Sequence, residues 1–212
     1  MTHRSVLAGL VLLFGGALDA TASTPREWRF DVFLGDRAIG TQVFQVTDEG
    51  PRKRVTSEAR FDVNILFVNA YSYRHRNEEI WEGGCLASIE STTDDNGKPF
   101  RVKGASGTDG FAVETRTARS TLPSCVRSFA YWNPDYLKAQ RLLNAQTGEY
   151  EDVILRPLGD ETLDVRGEPR PARRYALEGP KLRIDLWYSP DDDWLALESS
   201  SKGGRTIRYV RQ

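Results

Sequence analysis

The sequence is poor in the side chains that most enzymes use for catalysis and metal binding. It contains only two histidines and two cysteines among 212 residues. His3 lies in the N-terminal apolar region, so His75 is the only histidine in the rest of the chain. A Ser-His-Asp triad would need His75, and no GxSxG motif supplies a nucleophile. One histidine also excludes most histidine-based metal sites, so we predict no metal and no cofactor.

The sequence also lacks an excess of charge of either sign. Its formal net charge is −1 at pH 7, which gives no electrostatic reason to expect binding to nucleic acid or to an anionic membrane. Outside residues 5–18, no stretch is long and apolar enough to cross a membrane. We therefore predict no nucleic-acid partner, and no transmembrane segment once the N-terminus is removed.

The N-terminus has the parts of a secretory signal peptide. Arg4 supplies the positive start, an apolar run follows, and Ala20-Thr21-Ala22 is a small-x-small cleavage site. The run is short for a membrane anchor, and no cysteine follows it to carry a lipid. We predict that residues 1–22 are a cleaved signal peptide. Residues 23–212 are then expected to form a single β-rich domain in a bacterial periplasm or outside the cell.

Both cysteines, Cys85 and Cys125, lie in the predicted mature chain. In an oxidising compartment two such cysteines are expected to form a disulfide. A reactive thiol and a metal ligand are the alternatives, but neither cysteine has a CxxC motif or a neighbouring histidine. We predict a Cys85–Cys125 bond with Cα atoms roughly 4.4–6.8 Å apart.

Runs of alternating apolar and polar residues predict a sheet. The first run, from Trp28 to Leu34, is followed by a Gly35-Asp36 turn and a return strand. Asp95-Asn96-Gly97 predicts a type I′ hairpin, because both of its central residues tolerate positive φ. The predicted fold is mainly β, an antiparallel meander that forms a strongly curved sheet or a partly closed barrel.

One predicted strand carries four residues on a single face before it runs on towards Trp81: Tyr71, Tyr73, His75 and Asn77. We interpret His75 as a surface or cross-strand residue rather than a general base. Glu78, Glu79 and Glu82 surround Trp81, which resembles a glycosidase site in composition only. The preferred interpretation of these carboxylates is solubility of a strand edge.

Cys125 is followed by a stretch dense in aromatic and turn-forming residues, Phe129–Tyr150, which we call the central segment. Its Asn133-Pro134-Asp135 sequence predicts one short helix near residues 134–142, with Asn133 as the cap. A turn is predicted from Asn144 to Gly148. Trp132 is expected to be mostly buried, because a contiguous exposed aromatic patch promotes association.

Four aromatic residues are candidate ligand-binding residues: Tyr131, Trp132, Tyr136 and Trp187. Trp187 shares a strand face with Arg183 and Asp185, so it is expected to face solvent or a second, partly polar concavity. Half-exposed aromatic residues on a sheet can line a ligand pocket, and packing is the alternative role. For Trp132 we prefer packing.

Three motifs carry a family resemblance: FAYWNP at Phe129–Pro134, LLNAQTGE at Leu142–Glu149 and LWYS at Leu186–Ser189. The chain resembles a family of uncharacterised exported bacterial proteins over nearly its whole mature length. That family has no established catalytic residues, so the resemblance implies none here. More distantly, the architecture is similar to the curved antiparallel sheets of periplasmic lipoprotein carriers, which implies a concave sheet able to hold an acyl chain.

Three functions are compatible with these patterns. The first is a non-enzymatic binding or envelope-associated protein for a small apolar or lipid-like ligand. The second is a carboxylate-based hydrolase, which needs two converging acidic groups, one with a raised pKa. The third is a protein–protein interaction module that uses a sheet edge or an exposed tryptophan as its contact.

Overall fold

The fold is known from a computed structural model that describes residues 24–65, 68–180, 182–200 and 204–212. The expected signal peptide, residues 1–22, lies outside the described residues. In these ranges no helix is long and apolar enough to cross a membrane. The strands in chain order are β1 Arg26–Leu34, β2 Arg37–Glu49, β3 Arg52–Ile65, β4 Val68–Glu82, β5 Cys85–Asp95, β6 Lys98–Gly107, β7 Gly110–Thr115, β8 Arg119–Leu122, β9 Arg141–Leu143, β10 Tyr150–Asp152, β11 Ile154–Val165, β12 Glu168–Gly179, β13 Leu182–Tyr188, β14 Trp194–Ser200 and β15 Thr206–Arg211.

Thirteen of these strands form one antiparallel sheet in the order β11-β12-β13-β14-β15-β1-β2-β3-β4-β5-β6-β7-β8. Consecutive strands pair by hairpins, and the pairing of β15 with β1 joins the C-terminal strands to the N-terminal ones. The sheet does not close, because β11 and β8 remain its two ends. The predicted mainly β antiparallel meander is confirmed.

One face of the sheet curves around a common apolar core. Phe111 on β7 and Leu177 on β12 belong to the same buried cluster, although their strands are twelfth and second in the sheet order. In a flat sheet these strands would lie roughly 48 Å apart, at about 4.8 Å for each step. The sheet is therefore strongly curved, and its concave face encloses the core.

Local backbone features support this curvature. The predicted hairpin turn is confirmed, since Asn96 and Gly97 have φ values of 53° and 83°, and they join β5 to β6. Register shifts interrupt the strand pairing at Val32/Phe33 and at Pro157/Gly159, among other places. Such bulges bend a strand and increase its twist, so they allow a long sheet to curve.

The central segment fills the concave face of the sheet. Its buried side chains share the main core with residues of the surrounding strands: Ala130, Trp132, Leu137, Leu142 and Leu143. The entry to the segment is held by the Leu86 N–H, which donates to the Val126 carbonyl over 2.8 Å. Cys85 at the start of β5 is bonded to Cys125, as predicted, with Cα atoms 5.1 Å apart. The disulfide therefore ties the segment to the sheet that encloses it.

The central segment contains less helix than predicted. The helix expected near residues 134–142 is a single 3-10 turn, Tyr136–Lys138, and the prediction that Asn133 caps a helix starting at Pro134 is wrong. Asn133 Oδ1 instead accepts a hydrogen bond from the Asp135 N–H, which makes a local turn. Helix growth stops because the chain becomes extended at Ala139 and enters β9.

The turn predicted from Asn144 to Gly148 is present. The Gly148 N–H donates to the Asn144 carbonyl over 2.8 Å, and Asn144 Oδ1 accepts from the Gln146 N–H over 2.9 Å. Gly148 has a φ of 76°, and a Cβ atom there would lie 2.5 Å from Thr115 Cγ2. Only glycine fits this position, where the segment passes close to the sheet.

Replacing both Cys85 and Cys125 with serine should lower the free energy of unfolding by about 4 kcal/mol. The disulfide closes a loop with a sequence separation of 40 residues, and its loss releases that loop in the unfolded chain. Urea denaturation with and without reductant measures the effect. Reductant should destabilise the parent and leave the double variant unchanged, and an equal response of both proteins would contradict the prediction.

Candidate functional site

A buried polar wall covers part of the concave face. Ser57, Asn77 and Ser91 pair directly across β3, β4 and β5, and Glu79 lies in the next row between Val55 and Ile89. The four polar residues of this wall are each at most 6% exposed. Burying polar groups costs free energy unless they are hydrogen-bonded, so a wall of this kind needs a reason beyond packing.

Glu79 is the charged member of the polar wall and is 3% exposed. Its Oε1 accepts from Asn77 Nδ2 over 2.9 Å, and its Oε2 accepts from Trp81 Nε1 over 2.8 Å. Burial raises the pKa of Glu79, while these two hydrogen bonds and the nearby Ser128 hydroxyl oppose the rise. No lysine or arginine of the described chain lowers that pKa through its charge.

His75 lies on the same face of β4 as Asn77 and Glu79, one row before Asn77. Its Nδ1 is 2.8 Å from Thr93 Oγ1 on β5. Burial lowers the pKa of His75 to about 4, because the charged imidazolium would lose its hydration. The cross-strand interpretation of His75 is confirmed, and this half-buried residue belongs to the lining of an interior cavity.

The polar wall borders an interior cavity of about 780 Å³. Opposite the wall lie residues 128–132 and 144–146 of the chain connecting β8 to β11. Apolar side chains complete the lining: Phe44, Val55, Phe129, Leu182 and Ile184. The exposed residues Pro180 and Ser200 lie at its rim. The cavity lining therefore combines apolar side chains with buried polar groups, and Phe44 and Val55 lie directly beside Ser57 and Glu79 in the sheet.

Three buried polar atoms beside this cavity make no hydrogen bond within the part of the chain that the structure describes: Asn77 Oδ1, Ser128 Oγ and Trp132 Nε1. The side chains that carry them are all more than nine-tenths buried. Buried polar atoms are nearly always paired in folded proteins, so each unpaired one requires an explanation. A bound molecule with a polar end supplies one.

A larger surface groove of about 1140 Å³ runs along β4 to β8. Its exposed charges pair with each other, as in the Lys103–Glu90 and Arg119–Glu114 ion pairs. None of the buried atoms without a hydrogen bond in the described chain belongs to its lining. We therefore place the candidate site in the interior cavity and not in this groove.

The structure separates the candidate aromatic residues of the central segment. Tyr131 and Trp132 both line the cavity, whereas Tyr136 lies outside its lining and stacks on Trp81 with ring centroids 4.8 Å apart. Trp132 is 7% exposed and meets Trp81 edge to face at 5.7 Å, so its expected burial is confirmed. A ligand-binding role for these residues stays a prediction.

Trp187 lies away from the cavity in a separate small cluster with Ala172, Leu195 and Ala196. It is 5% exposed, so of the two expected surroundings, solvent and a second, partly polar concavity, solvent is wrong. Its indole N–H donates to Glu161, and the Arg174 guanidinium lies 5.0 Å from the ring centroid. The β11–β12 hairpin, which the alternating pattern of β13 cannot reveal, supplies this cover.

The two alternative functions have limited support in this geometry. Among the described residues, Glu79 is the only carboxylate that lines the cavity, so the converging pair that a hydrolase needs is not there. All five tryptophans are buried, which leaves the sheet edges as the basis of an interaction module. The described residues also contain no group of three or more His, Cys, Asp or Glu side chains that could hold a metal.

Sequence reasoning missed the buried members of the polar wall. The alternating pattern predicts the correct strand face for Asn77. The interpretation of Glu78, Glu79 and Glu82 as a soluble strand edge is wrong for Glu79, which is buried. The period of two along β4 was the available signal, since it places Glu79 with Asn77 and Trp81. Ser128 had no such signal, because it lies in an irregular part of the chain.

A family model described as a domain of unknown function, DUF6134, matches residues 30–212. The chain belongs to this family. The expected membership of a family without an assigned function is thereby confirmed. A comparison of this DUF6134 chain with the curated proteins finds no match.

The DUF6134 fold is similar to that of a solved protein from Brucella abortus, described as a beta-barrel-like protein of domain of unknown function DUF1849. The TM-score is 0.62 at 11% sequence identity, and the match covers 91% of this chain and 98% of that one. At this identity the likeness shows the fold alone. It supports a barrel-like shape for the curved sheet.

Replacing Trp132 with alanine should lower the free energy of unfolding by about 3–5 kcal/mol, because it removes a large side chain from the core. The Trp132→Phe variant keeps most of the apolar contact with Trp81 and should lose less. Thermal denaturation compares the two. A melting temperature for Trp132→Ala within a degree or two of the parent would show that Trp132 is not part of the scaffold.

The buried histidine should make the protein less stable in acid. As the pH falls from about 6.5 to about 4, His75 takes up a proton in the unfolded chain but not in the folded one. The parent should therefore lose roughly 3 kcal/mol more than a His75→Gln variant over this range. Urea denaturation of both proteins at several pH values measures the difference. Parallel stability curves would contradict the lowered pKa.

Proposed function

We propose that this chain is an exported, non-enzymatic binding protein that holds a small lipid-like molecule in its interior cavity. The observation that carries the proposal is the mixed lining of that cavity. Its apolar side chains provide area for a hydrocarbon part, and its buried polar groups provide partners for a polar end. The ligand is therefore amphipathic rather than purely apolar.

The size of the cavity agrees with a small ligand. Its volume of about 780 Å³ lies within the range of roughly 300–1,000 Å³ that is usual for small-molecule sites. The central segment already occupies much of the concave face with Leu137, Leu142 and Leu143. The architecture suggested a carrier-like role for an acyl chain. We therefore propose that the bound acyl chain is short.

Export is the second part of the proposal. The Cys85–Cys125 bond is typical of proteins that fold in an oxidising compartment. It agrees with the signal peptide expected at residues 1–22 and with a periplasmic or secreted domain over residues 23–212. In an oxidising compartment this bond can persist, and it then holds the central segment against the sheet.

Filling the cavity should abolish binding. The fluorophore N-phenyl-1-naphthylamine is a suitable amphipathic probe, because its emission rises in apolar surroundings. Ser57→Phe places a ring into the cavity from the polar wall and should weaken binding of the probe at least tenfold. Fluorescence titration of the parent and the variant measures the loss.

The matched control is Glu58→Tyr, which adds a ring to the exposed side of the same strand. This control should bind the probe as the parent does. Native mass spectrometry of the parent purified from periplasm provides an independent measurement. A parent that carries no bound molecule and binds no probe at micromolar concentration would overturn the proposed function.

A further inference from the structure

The polar wall contains a carboxylate without a cationic partner in the described chain. Glu79 receives one hydrogen bond on each oxygen, from Asn77 and from Trp81. A carboxylate has about four lone-pair positions, so both oxygens can accept further hydrogen bonds. A buried negative charge is costly without a positive partner, and here only neutral donors oppose that cost.

Acceptors outnumber donors around this carboxylate. Asn77 Oδ1 is an acceptor, and it makes no hydrogen bond to any described residue. The buried Ser128 hydroxyl lies close enough to Glu79 to lower the pKa of that carboxyl, and its oxygen can still accept a hydrogen bond. Both residues line the cavity together with Glu79. A ligand that fits this group brings several donors on one atom and a positive charge.

We infer that the polar end of the ligand is a primary ammonium group, bound by Glu79, Asn77 and Ser128. This inference rests on the proposed binding function and names its ligand class, a small amphipathic amine. The three N–H donors of the ammonium match the Glu79 carboxylate, Asn77 Oδ1 and Ser128 Oγ.

The surroundings of the three acceptors include aromatic faces, and the one cation among the described residues that line the cavity, Arg183, is already paired with Glu178 and Asp185. Trp132 and Tyr131 line the same cavity, and aromatic faces attract ammonium groups. Trp132 Nε1 is a donor that also makes no hydrogen bond to a described residue at this cavity. It does not oppose an amine, because an oxygen elsewhere in the ligand can accept from it.

Other ligand classes satisfy fewer of these groups. A hydroxyl donates one hydrogen bond and leaves the Glu79 charge without a partner. A carboxylate would place a second negative charge beside Glu79, and like charges at short distance repel. A metal ion would need several charged or imidazole ligands, but no suitable group exists among the described residues.

Three probes with the same chain length test the inference: octylamine, octanol and octanoate. Isothermal titration calorimetry at pH 8 should show octylamine binding at least tenfold more tightly than octanol, with octanoate weakest. This comparison uses the parent protein alone, so it does not depend on the folding of a variant. Similar affinity for octylamine and octanol would overturn the inference and leave the binding function standing.

The Glu79→Gln variant should lose the preference for the amine. Its affinity for octylamine should fall at least tenfold and by more than its affinity for octanol, so that the two probes bind similarly. Glu78→Gln is the matched control, since Glu78 points outward on the same strand and pairs with Arg54. This control should bind all three probes as the parent does. A Glu79→Gln protein that retains its amine preference would overturn the inference, and no binding of any probe to the parent would overturn the binding function itself.

Discussion

The structure depends on burial of the central segment in the concave face of the sheet. An antiparallel sheet with one apolar face has to cover that face, and thirteen strands present more of it than they can bury by curving alone. Leu137, Leu142 and Leu143 supply the missing contacts, each contributing roughly 1.5–3 kcal/mol through burial. The disulfide and the Leu86–Val126 hydrogen bond hold the segment where these contacts form.

The same arrangement creates the cavity. The central segment fills the part of the concave face that is lined by tryptophan, leucine and phenylalanine residues. It does not fill the region beside Asn77 and Glu79, where the lining is polar. Curvature of the sheet brings β13 towards β3 and β4, so both polar and apolar side chains line one space. Core packing and the candidate site are therefore products of one folding event.

The polar wall lowers stability, and the proposed recognition of a ligand is the reason we give for this cost. Glu79 and Asn77 occupy positions where valine or leucine would pack without a desolvation cost. Proteins often tolerate such costs at binding sites, because polar groups held in a rigid sheet are already oriented for a ligand. Here the rigidity comes from direct pairing across β3, β4 and β5, and from the Trp81 indole that fixes the Glu79 carboxylate.

The sequence by itself determined the features that depend on near neighbours. Alternation predicted the strands, Asn96-Gly97 predicted its hairpin, and two cysteines in a chain with a predicted export signal predicted their bond. Tertiary structure decided which side of each strand faces the core, since a period of two separates the faces without saying which is inside. It therefore placed Glu79 in the cavity, covered Trp187 with a distant hairpin, and replaced the helix expected after Asn133 with a 3-10 turn before β9. The cover of Trp187 and the short 3-10 turn come from contacts that no local pattern records, whereas for Glu79 the period of two indicated the strand face and the fold decided that this face lies inside.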